Sequence, residues 1–172
     1  MIKSARAVIV DYLRQDASLL ALMDAKDIQD IDFEFEDLYN ASANRFSFPA
    51  VSVTTSYMNF NDQLNCQDVN LYTETLDFAI YNQVDTTKLR SKSANVRAKA
   101  EIEKRKVDEV RGLIQDNLRT LDGDLITEIN VQKIQFNTAS DSVFNTEANT
   151  KIYQSFFSMN ITYKTILDTK KI

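Results

Sequence analysis

The chain has 172 residues, 44% of them hydrophobic and 26% charged, with a net charge of −5, values typical of one globular domain with a buried core. It contains no histidine and only two glycines, which excludes His-based triads, His-ligated zinc and glycine-rich phosphate loops. The single cysteine excludes an internal disulfide and fits a reducing cytoplasm. No window of the sequence approaches the roughly 18 consecutive apolar residues of a membrane span. We therefore expect a protein that is not an enzyme, with no catalytic residue, cofactor, metal or small-molecule substrate and no membrane partner.

The negative charge is concentrated in the first half of the chain. Residues 1–87 hold 14 acidic and 5 basic residues, a balance of −9, whereas residues 88–111 hold 4 acidic and 9 basic residues, a balance of +5. Opposed charge blocks within one domain indicate head-to-tail matching between copies, or a partner of opposite charge.

The N-terminal part of the chain is predicted to form a helix and then an acidic strand. Apolar residues recur at helical spacing over residues 3–23, and Ser4 is the candidate N-cap. In residues 28–37, "IQDIDFEFED", apolar residues alternate with Asp32, Glu34 and Glu36, which predicts a strand with an acidic outer face. These carboxylates are the oxygen ligands that hard cations prefer. Because they alternate along a strand without EF-hand spacing, we favour a solvated or salt-bridging surface.

Two further strands are predicted before the centre of the chain. Pro49 opens "PAVSVTTSYMNF", which is rich in β-branched and aromatic residues and reads as a strand over residues 49–60. Residues 69–83, "VNLYTETLDFAIYNQ", read as a second long strand. The apolar row changes parity along this strand, which predicts a bulge or bend near residues 72–75.

A basic insert over residues 86–104 leads into a helix predicted over residues 94–120. Glu103 occupies a position in the apolar seam of this helix, so we expect its first turns to project beyond the core. The candidate interface cations are Lys88, Arg90, Arg97, Lys99, Lys104 and Arg105. Clustered bases fit nucleic-acid contact, but acidic residues are interleaved with them and the helix has no aromatic residue for stacking. We favour a solvated helix, or a surface that faces the acidic half of a neighbouring copy, and DNA passing nearby without sequence recognition is the alternative.

The last third is predicted to be a hairpin, in which residues 125–137 pair with residues 150–167. The connection, about residues 137–150, is long, and it places the apolar pair Val143 and Phe144 at a polar loop tip. In the closing strand, Phe156 stands on the polar row. Exposed apolar groups of this kind mark protein contacts, whereas a bent or sandwiched strand would bury Phe156 inside the subunit. Both interpretations of Phe156 stay open from the sequence.

The order of elements predicts the fold class. Neighbouring strands interrupted by two helices indicate a single α+β domain over residues 1–172. We expect an antiparallel or mixed sheet, with the N-terminal and the central helix packed on one face and a terminal β-hairpin.

The pattern resembles the tail-terminator, or tail-completion, proteins of long-tailed bacteriophages. An N-terminal helix ending "LLALMDA" precedes a short strand, a loop and "FPAVSVTTSY". The strand "TETLDFAIYNQ", the helix "VDEVRGLIQDNLRTL" and a terminal hairpin ending "QSFFSMNITYK" follow. The resemblance covers nearly the whole chain, and the basic insert and the long hairpin connection are its less typical parts.

The resemblance implies a structural virion protein rather than an enzyme. Members of that family form rings, commonly hexameric, at the head-proximal end of the tail, where they end polymerisation of the tail tube and, in contractile tails, of the sheath. They also present a surface to the neck. It further implies assembly in the host bacterial cytoplasm and DNA passing through the ring. A head-completion or connector protein of the neck is a nearby alternative, and an accessory nucleic-acid-binding domain using residues 88–111 is an alternative of a different class.

Overall fold

The chain folds around one open, mixed sheet of six strands, with helices packed on one of its faces. The computed structural model describes residues 4–31, 47–60, 69–123, 125–126, 129–145 and 149–166. This arrangement confirms the predicted α+β class, with both helical regions on one face and a closing hairpin. Among the described residues, no helix is long and apolar enough to cross a membrane.

Four helices and six strands form the described fold. The helices are α1 (Ala5–Leu13), α2 (Ala17–Leu20), α3 (Thr86–Leu89) and α4 (Ala94–Arg119), and a short 3₁₀ turn spans Ala25–Asp27. The strands are β1 (Ile28–Gln29), β2 (Ala50–Phe60), β3 (Val69–Asp85), β4 (Leu125–Ile126), β5 (Ile129–Asn145) and β6 (Thr150–Ile166).

Three long strands form the body of the sheet, whose order is β1-β2-β3-β6-β5-β4. β1 runs parallel to β2, and all other neighbours are antiparallel. β3 and β6 pair without interruption over all 17 residues of each. At about 3.3 Å per residue, each of these strands is roughly 56 Å long.

The main core lies between this sheet and α1, α2 and α4. Phe78 of β3 stacks on Phe157 of β6 with ring centroids 4.6 Å apart, and Tyr72 stacks on Tyr163 at 5.5 Å. From α4, the apolar seam contributes Val107, Val110, Ile114 and Leu118, all buried. The predicted helix over residues 94–120 is confirmed, and at about 1.5 Å per residue its 26 residues extend roughly 39 Å.

The single N-terminal helix predicted over residues 3–23 is wrong, because the chain forms two helices there. The side chain of Ser4 accepts a hydrogen bond from the Ala7 backbone N–H at 3.3 Å, so Ser4 is the N-cap of α1 as predicted. α1 ends at Leu13, and Asp16 then caps α2 by accepting from the Leu19 N–H at 2.9 Å. A carboxylate that bonds to the backbone three residues later favours a new helix start over continuation.

The bulge predicted near residues 72–75 is also wrong, because β3 keeps one register with β6 throughout. The irregularity lies on the neighbouring strand, where Ser56 interrupts the β2–β3 register between Thr55 and Tyr57. Glu74 is fully buried in the inward row of β3. A polar residue inside this row interrupts the hydrophobic pattern without shifting the register of β3 with β6.

The long hairpin connection predicted over residues 137–150 is wrong in its extent. β5 continues to Asn145 and β6 begins at Thr150, so Val143 and Phe144 lie within β5, opposite Tyr153 and Ile152. Residues 139–145 look loop-like because they are rich in Ser, Asp and Asn. Pairing with β6 satisfies those of their backbone groups that face it, so the strand continues beyond the residues whose apolar alternation identifies it.

Candidate interface surfaces

α3 and the first turns of α4 project beyond the hydrophobic core, as the sequence predicts. Every residue from 92 to 99 is exposed, whereas Ala100 is the first buried residue of α4. Arg97 ties the start of α4 to the connection after α3, because its guanidinium donates to the Ser91 backbone carbonyl at 2.7 Å. We call residues 86–105 the cationic arm.

Glu103 joins the base of the cationic arm to the end of β3. The buried Asn82 side chain donates to the Glu103 carbonyl at 2.7 Å and to its carboxylate at 3.2 Å. The other carboxylate oxygen of Glu103 pairs with Lys106 at 3.6 Å. Glu103 therefore marks the point where α4 leaves the core. The charge of the Glu103 carboxylate is neutralised within the subunit.

Some cations of the basic segment are engaged within the subunit. Arg111 donates to Ser155 Oγ at 2.6 Å and to Asp141 Oδ1 at 3.1 Å, and it pairs with Asp108 at 3.4 Å. The ammonium of Lys104 lies 5.7 Å from the centre of the Tyr153 ring, within cation–π range. These residues fix α4 against the hairpin of β5 and β6.

Other cations of the cationic arm have no acidic partner within ion-pair distance. Within the described part of the chain, no ion pair involves the side chains of Lys88, Arg90, Lys92, Arg97, Lys99 or Arg105. Most of their charge is therefore available to an external partner. This distribution differs from the even interleaving of opposite charges that the sequence suggests.

A pocket of about 310 Å³ lies where the cationic arm meets the paired ends of β3 and β6. Its lining consists of Gln83, Val84, Asp85, Lys88, Lys99, Ala100, Glu103 and Thr150. Asp85 is the N-cap of α3 and accepts from the Thr87 hydroxyl at 2.6 Å and from its N–H at 2.9 Å. Those two bonds hold the pKa of Asp85 below its usual value. We call this site the lysine pocket.

A smaller apolar cluster covers one end of the sheet face that is turned away from the helices. Phe156 is half-buried there and pairs with Ala79 of β3, while the next residues along each strand pack into the main core. Because successive side chains of a strand point to opposite faces, the cluster lies opposite the helices. Its members are Ala50, Ala79, Tyr81 and Ile152, with Phe48, Phe144 and Phe156 packed against them.

The predicted apolar interface residues have different environments in this structure. Val143 is 50% exposed on the helix-bearing side of β5, whereas Phe144 is half-buried in the apolar cluster. Phe156 packs within its own subunit and keeps part of its surface accessible. Asp32, Glu34 and Glu36 lie outside the described residues, so the predicted acidic strand face stays a prediction.

The sequence patterns missed a buried polar network beneath α1. Glu74 accepts hydrogen bonds from the Ala5 N–H at 3.2 Å, the Thr55 hydroxyl at 2.6 Å and the Tyr163 hydroxyl at 3.0 Å. Burial and the negative charge of Glu74 raise the pKa of Tyr163 above its usual value. The detectable signal was a lone acid at an inward position of an apolar strand. Its bonds to the start of α1 indicate a structural role.

The described residues contain no group of three or more metal-ligating side chains. No protein-family model matches the chain, and no curated protein matches it. Among solved structures, the chain is similar to one from the virion of a native gene transfer agent (GTA) particle, at 14% identity and a TM-score of 0.45. The similarity covers 92% of this chain and 95% of that one. A similarity of this degree does not specify a function.

Proposed function

We propose that the chain is a non-enzymatic structural subunit of a phage-type virion. Copies of it form a ring at the head-proximal end of the tail, end tail polymerisation and join the tail to the neck. This proposal starts from the resemblance of the chain's order of helices and strands to that of tail-terminator proteins. The long strands β2 and β3, the central helix α4 and the closing hairpin occupy the stretches that carry that resemblance.

The observation that carries the assembly role is the projecting, unneutralised cationic arm. Residues 88–105 hold seven basic and two acidic residues, and residues 1–87 have a balance of −9. Two different surfaces of opposite charge attract each other in a head-to-tail contact, and such a contact closes into a ring when its rotation allows. A folded domain that leaves most cations of one projecting segment without an acidic partner is suited to this kind of assembly.

Native mass spectrometry and electron microscopy of the purified chain, together with imaging of particles, test the proposal. We expect a closed ring of one copy number, located between tail and neck. The proposal would be abandoned if the chain stayed monomeric under all salt conditions and were absent from particles. A ring attached to the head side after tail loss would instead favour a head-completion or connector role.

Nucleic-acid binding is a second candidate, favoured by the same exposed cations. Neutralising clustered phosphate contacts makes binding strongly dependent on salt concentration. We expect such a domain to bind double-stranded DNA at low salt, and to lose this binding when Arg97, Lys99, Lys104 and Arg105 are changed to glutamine. Absence of binding at low salt, measured by fluorescence anisotropy, would remove this candidate.

A further inference from the structure

Both carboxylates of the lysine pocket accept hydrogen bonds from within the subunit, whereas neither lysine forms an ion pair with a described residue, although the charge of Lys88 also acts on Asp85 at longer range. Asp85 is held by Thr87, and Glu103 is held by Asn82 and Lys106. No ion pair joins Lys88 or Lys99 to the residues that the structure describes. The pocket therefore offers two ammonium groups to an incoming anion.

We propose that the lysine pocket receives a carboxylate side chain from a second copy of the chain. This inference rests on the proposed ring and identifies one of its contacts. An ammonium group is a compact point charge with three hydrogen-bond donors, so Lys88 and Lys99 together hold one carboxylate without a fixed bidentate geometry. The buried Val84 and Ala100 supply apolar lining beside the charges.

Three features favour a protein carboxylate over the phosphates of DNA. The site is a concavity of about 310 Å³, which suits one protruding side chain better than a continuous backbone. Asp85 and Glu103 line the same pocket, and they repel a densely charged polyanion more than a single carboxylate. Residues 1–87 hold 14 acidic residues, and although Asp27 and Glu74 are buried, exposed ones such as Asp30 give a copy in head-to-tail contact carboxylates of its own.

The first test changes Lys88 and Lys99 to glutamine and measures self-association by sedimentation velocity at low and high salt. A matched control changes Lys133 and Lys164 to glutamine. These two lysines are exposed on β5 and β6, so the control also removes two positive charges. We expect the pocket variant to raise the dissociation constant about tenfold or more at low salt, since each close interfacial charge pair carries substantial coupling. We expect a smaller change for the control, and circular dichroism to show both variants folded.

The second test identifies the source of the anion. A zero-length carbodiimide joins lysine amines to carboxylates in direct contact, and mixing ¹⁵N-labelled with unlabelled chains separates links between copies from links within one copy. We expect links from Lys88 or Lys99 to an aspartate or glutamate of another copy. Links found only within one chain would overturn the proposal.

The remaining outcomes are distinguishable. If the wild-type chain forms rings and the pocket variant forms them equally well, the pocket inference is overturned while the proposed ring function stands. If the pocket variant loses binding to a labelled DNA duplex but keeps its self-association, the partner is nucleic acid and the inference is again overturned. If the wild-type chain neither assembles nor occurs in particles, both proposals fail.

Discussion

Removing the Glu74 carboxylate is expected to destabilise the fold at the start of α1. Glu74 is fully buried and accepts from the Ala5 N–H, the Thr55 hydroxyl and the Tyr163 hydroxyl. Ala5 is the first residue of α1, where backbone N–H groups have no partner within the helix. The carboxylate therefore satisfies a helix terminus and a buried phenol at once, and its negative charge is favourable next to the positive end of the helix.

The size of the stability loss depends on the hydrogen-bond donors that removal of the Glu74 carboxylate leaves without an acceptor. In Glu74→Ala, the Ala5 N–H and the Tyr163 hydroxyl lose their shared oxygen, at a cost of about 1–3 kcal/mol each. Thr55 is only half-buried and can turn to water. Relief of the buried charge offsets part of this cost, so we expect a loss of about 3 kcal/mol in the free energy of unfolding. For a domain of this size, that corresponds to a fall in Tm of roughly 6–12 °C.

Glu74→Gln separates hydrogen bonding from charge. The amide oxygen can keep the bonds from Ala5 and Tyr163, while its NH₂ group donates to the Thr55 oxygen. We expect a loss of only about 1 kcal/mol, from the weaker neutral acceptor. Urea and thermal unfolding followed by circular dichroism measure all variants, with Glu109→Ala on the exposed face of α4 as the control. Equal losses for Glu74→Ala and Glu109→Ala would refute the reasoning.

Three further changes test other sites. The raised pKa of Tyr163 means that its contribution to stability is complete below about pH 10, where unfolded tyrosine ionises, and is lost at higher pH. Tyr163→Phe should therefore weaken the fall in stability between pH 9 and 11 in urea titrations, and an unchanged slope would contradict this assignment. Burial raises the pKa of Asp27, so its favourable contribution is present at low pH and lost as pH rises through the folded pKa. Asp27→Asn keeps an oxygen for the Ser47 N–H and should raise stability at pH 7, whereas a loss there would show that the charge itself is needed. Phe156→Ser should lower the free energy of unfolding by about 2 kcal/mol, because the ring is half-buried beside Ile152. A loss below about 0.5 kcal/mol would contradict this packing. Sedimentation of the folded variant shows whether assembly is weakened as well.

Local patterns were sufficient for the main elements. β-Branched and aromatic content after Pro49 identified β2, and period-two alternation identified β6. Helical spacing of apolar residues identified α4 to within about a residue at its end. These elements are readable because each keeps one face buried along most of its length. The pattern failed where a polar side chain took a structural position: Asp16 begins a new helix, and Glu74 stands in a core row.

The sequence identified the residues of the candidate surfaces but not the contacts that each side chain makes. The cations of the arm are visible in the sequence, and Glu103 in the apolar seam correctly indicated that the first turns of α4 project. Whether each charge is neutralised depends on residues far away in the chain. Arg111 contacts Asp141 and Ser155, whereas Lys88 and Lys99 line a pocket together with Thr150 of β6.

By itself, the sequence determined the fold class, the charge asymmetry and the exclusion of histidine chemistry, because these depend on composition and on the period of side chains along one segment. Only the tertiary structure decided that β5 and β6 extend through the supposed loop, since backbone pairing comes from a partner strand. It also decided that Phe156 packs beside Ala79 on the face away from the helices. The same packing gives Glu103 an internal donor in Asn82 and leaves Lys88 and Lys99 without an ion pair among the described residues, which residue order alone does not reveal.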